Sequence, residues 1–217
     1  MIDFYFDFVS PYAYLAWTRI ADLGARVGDD IEPVPVLFAG MLNALGTKGP
    51  AEVPPRRAYL FKNVLRAAHR AGVKVEPPPA HPFNPLLALR IAALPLERDL
   101  RVRIIDALYD AAWAGGDGIE GAERITAVLQ QAGIDAAPLL TRAATSEAKD
   151  RLRQNTEAAL ARGAFGVPTM FIDGEMFFGF DSFPEIEAYA RGEDPAARQP
   201  ELVERWRDLR ASATRAS

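Results

Sequence analysis

The chain contains no cysteine, so it has no thiolate nucleophile, no disulfide and no cysteine-ligated zinc of its own. Its two histidines, His69 and His81, have no second histidine at ligand spacing, which excludes a histidine-rich metal site and leaves no metal expected. His69 lies in an Arg- and Lys-rich helical run and reads as a solvated surface residue. His81 follows Pro77-Pro78-Pro79 and reads as an ordinary loop histidine, with pocket lining as the alternative. What remains for chemistry is Ser10-Pro11, placed just after an apolar, alternating segment. Serine suits a helix N-cap and proline the first helical turn. A helix beginning there offers unpaired N–H groups, a partial positive charge and one hydroxyl, and such a place stabilises an anion. Taken alone, Ser10-Pro11 is an ordinary cap, and the same hydroxyl position can serve both purposes.

The elements that position this serine follow from hydrophobic periodicity. Residues 2–8 alternate strong β-formers with polar residues and predict a buried strand. From Ser10-Pro11 onward, Tyr12, Ala16, Ile20, Leu23 and Val27 recur at helical spacing, opposite Arg19, Asp22 and Arg26, and Gly28 closes the helix. Residues 31–38 give a second strand, weakened by two prolines. The opening is thus β-α-β, a crossover that favours parallel strands.

Residues 40–163 carry almost no strand signal. A Gly- and Pro-rich loop over 46–55 precedes a helix over 57–72, and the proline-rich stretch 73–85 is irregular. Helical patterns follow at 86–94, 100–113, 122–132, 136–144 and 147–162. Strand character returns at 169–173 and Glu175–Phe178, joined by Asp173-Gly174, a strong hairpin signal. An amphipathic helix over 183–191 comes next. A last helical run carries Leu202, Trp206 and Leu209 on one face and ends in a polar tail.

With 49% apolar and 25% charged residues, the 217-residue chain has the composition of a globular protein with a full core. A formal net charge of -4 and a pI near 5.3 argue against a nucleic-acid partner, which requires a basic stripe. No apolar run is long enough to span a membrane, and no basic segment followed by an apolar one opens the chain. Cytoplasm is the expected location.

The order βαβ, helical block, ββα is the thioredoxin topology. It predicts an α/β, thioredoxin-like fold with a large all-helical insertion: residues 1–39 and 164–217 form the thioredoxin-like domain and 40–163 the insertion. In that fold the site lies where the first strand meets the first helix, here Phe8-Val9-Ser10-Pro11-Tyr12-Ala13. A cis-proline precedes the third strand, and Gly166-Val167-Pro168-Thr169 stands at that place, so a cis bond is expected before Pro168. The segment from Asp7 to Leu15 resembles the opening of 2-hydroxychromene-2-carboxylate isomerases and kappa-class glutathione transferases. Phe83-Asn84-Pro85, Gly166-Val167-Pro168-Thr169 and Phe178-Gly179-Phe180-Asp181 extend the resemblance over nearly the whole chain. Both groups are relatives of disulfide oxidoreductases whose Cys-x-x-Cys sits at this turn. Ser10 and Ala13 occupy those two positions here, which removes dithiol exchange.

The resemblance implies that the missing thiol is borrowed from glutathione. Ser10 would donate a hydrogen bond to the glutathione thiolate at the helix end. The main chain of Val167, before Pro168, would pair with the cysteinyl backbone of glutathione in the manner of an added strand. The turn Phe180-Asp181-Ser182 would hold the γ-glutamyl end, Asp181 accepting from the ammonium and Ser182 facing the carboxylate. The family often has a basic third residue in that turn, so Ser182 leaves one charge contact out. Asp181-Ser182 also reads as a plain helix cap. Around the substrate, Arg56 falls near the family's lysine, with Arg57 as its rival and Lys48 as a solvated loop charge. Phe83 matches a pocket-lining aromatic, with a core aromatic as the alternative. Leu42, Asn43, Glu52 and Val53 do not match the polar residues that contact the acid in naphthalene-pathway isomerases.

The activity implied is glutathione-dependent isomerisation of a conjugated aromatic acid during aromatic degradation. The alternatives are a kappa-like transferase and a non-catalytic thioredoxin-fold binding module. The resemblance also implies a homodimer.

Overall fold

The computed structural model describes residues 1–212. The end of the polar tail, residues 213–217 of the segment assigned to the thioredoxin-like domain, lies outside the described residues. Four strands form one mixed sheet in the order β2-β1-β3-β4. β1 (Ile2–Phe6) runs parallel to β2 (Ile31–Pro35), with Ile2 opposite Ile31 and Phe6 opposite Pro35. β3 (Thr169–Ile172) returns antiparallel to β1, with Tyr5 opposite Thr169, and β4 (Glu175–Phe178) pairs antiparallel with β3. The turn between β3 and β4 has φ 50° at Asp173 and 89° at Gly174. Both central residues are left-handed, as a tight hairpin requires.

Eleven helices surround the sheet among the described residues. α1 (Pro11–Val27) is the crossover between β1 and β2. α2 (Phe38–Leu45), α3 (Pro54–Ala71), α4 (Leu86–Ala92), α5 (Arg98–Trp113), α6 (Ala122–Gln131), α7 (Ala136–Ala143) and α8 (Ser146–Ala161) make up the helical block. α9 (Phe183–Ala190), α10 (Pro195–Arg198) and α11 (Pro200–Arg207) follow the hairpin.

Strand alternation divides the core. Ile2, Phe4 and Phe6 point to the face covered by α1 and α5, where Phe4 and Phe6 lie 5.8 Å apart and Phe6 meets Tyr109 at 5.8 Å. Tyr5 points to the opposite face and packs with Val36, Met41, Ala159 and Phe171. The larger cluster is continuous from the strands through α3 to α7. Each of its fully buried Ile, Leu and Phe side chains stabilises by about 1.5–3 kcal/mol relative to exposure.

Three element boundaries near the site differ from those expected. The first strand stops at Phe6 rather than residue 8, because Asp7 turns the chain into the α1 cap: Ser10 N–H donates to the Asp7 carbonyl at 3.1 Å. The second strand stops at Pro35 rather than residue 38, and residues 38–45 form α2, for which no helix was expected. Pro33 and Pro35 remove ladder donors. The amides that open α2 are satisfied from far away, Leu37 N–H by Thr156 Oγ1 at 3.0 Å and Phe38 N–H by the Asp7 carboxyl at 2.9 Å. α3 likewise starts at Pro54, before the helix expected from Arg57. At the far end, Leu202 and Trp206 remain exposed on α11, and Leu209 lies beyond its last turn.

Candidate active site

Ser10 is the N-cap of α1, with extended backbone (φ −92°, ψ 115°) and only 8% exposure. Its Oγ accepts from Ala13 N–H at 3.2 Å, so the capping reading holds. Its own hydrogen faces the Val167 carbonyl at 3.5 Å, the outer limit of a hydrogen bond, and a stronger acceptor in the cleft can take it. Tyr14 N–H is bonded to the Ser10 carbonyl at 3.1 Å, and Pro11 has no N–H to offer. Tyr12 N–H has no partner among the described residues, and the first turn of α1 carries no acid. The positive end of the helix therefore keeps one free amide and no acid in its first turn.

The loop entering α1 is fixed from several sides. Val9 N–H donates to the Asp7 carboxyl at 3.0 Å, and Trp113 Nε1–H donates to the Phe8 carbonyl at 2.8 Å. His81 Nε2 lies 3.0 Å from the Val9 carbonyl, so this nitrogen carries the hydrogen. Burial holds the His81 imidazole below its usual pKa against that bond, with Arg57 lowering it further, and the ring stays neutral. Such supporting contacts set the position of Ser10 more tightly than a free loop would.

Opposite Ser10, the Val167–Pro168 peptide is cis, as the sequence predicts; His81–Pro82 is a second cis bond. Val167 N–H has no partner among the described residues, while the Pro168 carbonyl accepts from Gly179 N–H at 3.0 Å. That bond ties the cis-proline turn to the segment leading into α9. Gly166 lies close under the Phe178 ring: a Cβ there would sit 2.9 Å from it, so any larger residue must displace the ring. Phe178 in turn meets Phe165 at 4.5 Å, and both rings are about half exposed at the mouth of the site.

A cleft of about 1230 Å³ brings these parts together. Sites for single drug-sized ligands run to roughly 300–1,000 Å³, so there is room for two occupants side by side. Ser10, Val167, Pro168, Phe180 and Asp181 line it, with Arg56, Lys48 and Phe83. Ser182 does not; its hydroxyl donates to the Gly179 carbonyl at 2.8 Å. The two arginine candidates separate cleanly. Arg56 lines the cleft, whereas Arg57 donates to the His81 carbonyl at 2.7 Å and lies over the Phe61 ring. Phe83 serves both of its readings, being buried against His81 and Trp113 and also lining the cleft. Leu42, Asn43 and Glu52 line the wall formed by α2 and the following turn, and Val53 does not.

Several lining residues escape a reading of the sequence. Tyr12 and Asn63 face each other across α1 and α3, with Asn63 Nδ2 donating to Tyr12 Oη at 2.7 Å. Arg56, Leu60, Asn63, Ala67 and Arg70 form one cleft-facing stripe on α3. Their spacing of four, three, four and three is the signal that would have revealed Asn63. Asp7, fully buried, also borders the cleft. Burial pushes its carboxyl up to about 7 despite the Val9 and Phe38 amides that favour the charge. His81 lines the cleft rather than being a bland loop residue, and His69 is exposed on α3.

Among the described residues no cluster of three acidic or histidine side chains is disposed to hold a metal ion, and no helix is long and apolar enough to cross a membrane. Residues 1–190 match the DSBA-like thioredoxin domain. A 2-hydroxychromene-2-carboxylate isomerase of Sphingobium xenophagum is 31% identical over 190 residues, covering 87% of this chain and 96% of that protein. Glutathione S-transferase kappa 1 of Rattus norvegicus is 27% identical over 210 residues, covering 89% of this chain and 91% of its own. A solved 2-hydroxychromene-2-carboxylate isomerase superposes with a TM-score of 0.79 at 24% identity, over 97% of this chain and 99% of that one. That superposition speaks to the fold.

Proposed function

The chain belongs to the DSBA-like thioredoxin family, and from that membership we propose that it is a glutathione-dependent isomerase. One observation carries the reading. Ser10 caps the start of α1 with its hydroxyl 3.5 Å from the Val167 carbonyl, and it lines a large cleft together with Val167, whose N–H has no partner among the described residues, in a chain with no thiol of its own.

Glutathione fits the chemistry of that place. Its cysteinyl backbone pairs with Val167 beside Pro168, its ammonium meets Asp181, and Phe180 with the neighbouring turn encloses the γ-glutamyl end. Ser182 contributes by shaping that turn through its bond to Gly179, not by its hydroxyl hydrogen. The sulfur then lies at the start of α1, where Ser10 and the helix dipole favour thiolate. A thiol of pKa about 8.5 falls below about 7.5 in such surroundings.

Thiolate explains isomerisation physically. Rotation about a conjugated C=C bond is blocked until a nucleophile adds to it. Addition leaves a single bond, rotation follows, and loss of the thiolate restores the double bond with new geometry. The substrate class is a conjugated aromatic acid, with Arg56 on its carboxylate and Phe83 on its apolar body. The same proposal includes a homodimer, a cytoplasmic location and a role in aromatic degradation. It also keeps the division into a thioredoxin-like unit, 1–39 with 164–217, and a helical insertion, 40–163.

Arg56→Met is expected to raise KM for the acid about tenfold, the worth of roughly 1.4 kcal/mol, with kcat little changed. Arg57→Met, which instead loses its bond to the His81 carbonyl, is expected to lower Tm and leave KM nearly unchanged. Steady-state kinetics on both variants check the assignment, and the reverse pattern contradicts it.

A kappa-like transferase is the second reading, favoured by the similarity to the rat enzyme over most of both chains. The two differ only in the fate of the adduct. Incubation with glutathione and a conjugated keto acid such as benzylidenepyruvate, followed by mass spectrometry, separates them. The isomerase returns product of unchanged mass, and a transferase accumulates the conjugate. No turnover of any electrophile leaves the non-catalytic binding module.

A further inference from the structure

The Tyr12 hydroxyl is a side-chain donor at the start of α1 whose hydrogen is uncommitted among the described residues. Asn63 donates to Tyr12 Oη at 2.7 Å, which occupies a lone pair and fixes the phenol, and among the described residues the phenol donates to no acceptor. Tyr12 is half-buried, lines the cleft, and stands two residues from the capping serine. Burial raises its pKa, with the Asn63 bond opposing, so the group is a neutral donor at neutral pH. Asn63 lies on the same face of α3 as Arg56, two turns further on. The cleft therefore offers a cation for a carboxylate and, along the same wall, a pre-oriented O–H.

We propose that Tyr12 is a catalytic residue that donates its hydrogen bond to the enolate oxygen formed when the glutathione sulfur adds to a conjugated keto acid. This rests on the thiolate reading above. The thiolate lone pair forms the C–S bond at the alkene carbon remote from the carbonyl. The alkene pair moves next to the carbonyl carbon, and the carbonyl π pair moves onto oxygen. Nothing is oxidised or reduced, and the phenol keeps its proton. Collapse of the enolate expels the thiolate and restores the alkene. Charge on that oxygen builds during addition and is lost on expulsion of the thiolate, and the bound substrate does not carry it, so a fixed donor there lowers the barriers more than it tightens ground-state binding. Asn63 is a positioning residue acting through Tyr12.

The test compares the wild-type protein with Tyr12→Phe, Asn63→Ala and the double variant. Two readouts are taken from each: thiolate absorbance of bound glutathione across pH, and turnover of benzylidenepyruvate. Tyr12→Phe is expected to lower kcat by about 100-fold, the range seen for loss of one oxyanion donor. KM for glutathione and the pKa of its thiol stay unchanged. Asn63→Ala lowers kcat less, and adds nothing in the double variant. Full kcat in Tyr12→Phe overturns the inference while leaving the thiolate reading intact. A raised thiol pKa in Tyr12→Phe also overturns it, by assigning the phenol to the sulfur. Absence of thiolate in the wild type overturns the glutathione reading and this inference with it.

Discussion

Ser10→Ala is expected to raise the pKa of the bound glutathione thiol by about one to two units. A hydrogen bond to a charged group contributes about 1.5–3 kcal/mol, and one pKa unit is about 1.4 kcal/mol. At pH 7 most of the thiolate is then lost, and kcat with it. The same substitution leaves Ala13 N–H without its cap at 3.2 Å, costing about 1 kcal/mol of stability. Ser10→Asp separates the two effects. Aspartate caps the helix as well as serine does, but its carboxylate repels the thiolate. With the capping bond to Ala13 N–H retained, a thiol pKa raised at least as far as in Ser10→Ala is expected. Retention of full thiolate absorbance at neutral pH in Ser10→Ala would show that the hydroxyl is a cap and nothing more.

Asp7→Asn is expected to flatten the dependence of stability on pH between about pH 4 and 7. Burial pushes the folded-state carboxyl from its ordinary 3.8 up to about 7. Below pH 3.8 both states keep the proton. Between the two values the unfolded chain releases it and the folded chain keeps it, so stability falls as pH rises, and levels off above about 7. The span of about three units corresponds to about 4 kcal/mol as an upper bound. Asparagine is neutral throughout, so this contribution disappears. It also offers one acceptor oxygen where the carboxyl offers two, so either Val9 N–H or Phe38 N–H loses its partner, costing about 1–3 kcal/mol. Asp7→Asn is thus less stable than the wild type near pH 4, and the gap narrows or reverses by pH 8. Denaturant titrations at pH 4, 6 and 8 test this, and parallel profiles for the two proteins would mean that Asp7 does not titrate in this range.

The parts of the site that the sequence discloses are those specified by local chemistry. Ser10-Pro11 announces a helix start and Asp173-Gly174 a tight hairpin, because cap and turn preferences act within a few residues, whereas the turn at Val167-Pro168 follows from the order of elements and the family resemblance. Helical periodicity locates the block between the strands, since its apolar stripes recur at the helical period. α2 is hidden because its opening amides are capped by Asp7 and Thr156, 31 and 119 residues distant. Asp7 itself looks like the polar member of an alternating strand, and only the fold shows that it is buried beneath two amides. The Tyr12–Asn63 pair is separated by 51 residues and meets only because α1 packs on α3. The roles of Arg56 and Arg57 rest on helix phase: adjacent residues on α3 point about 100° apart, one into the cleft and one toward the His81 carbonyl. Ser182 shows the opposite limit, since a hydroxyl at a plausible ligand position is committed to the carbonyl of Gly179.

On the proposed function, this cysteine-free cleft binds glutathione and holds its sulfur as thiolate. Ultraviolet difference absorbance of the purified protein, titrated with glutathione from pH 5 to 9, measures this directly. Saturable binding with a bound-thiol pKa below about 7.5, against about 8.5 for a free thiol, is the expected result. No saturable signal, or a bound thiol that titrates as it does in water, would contradict it.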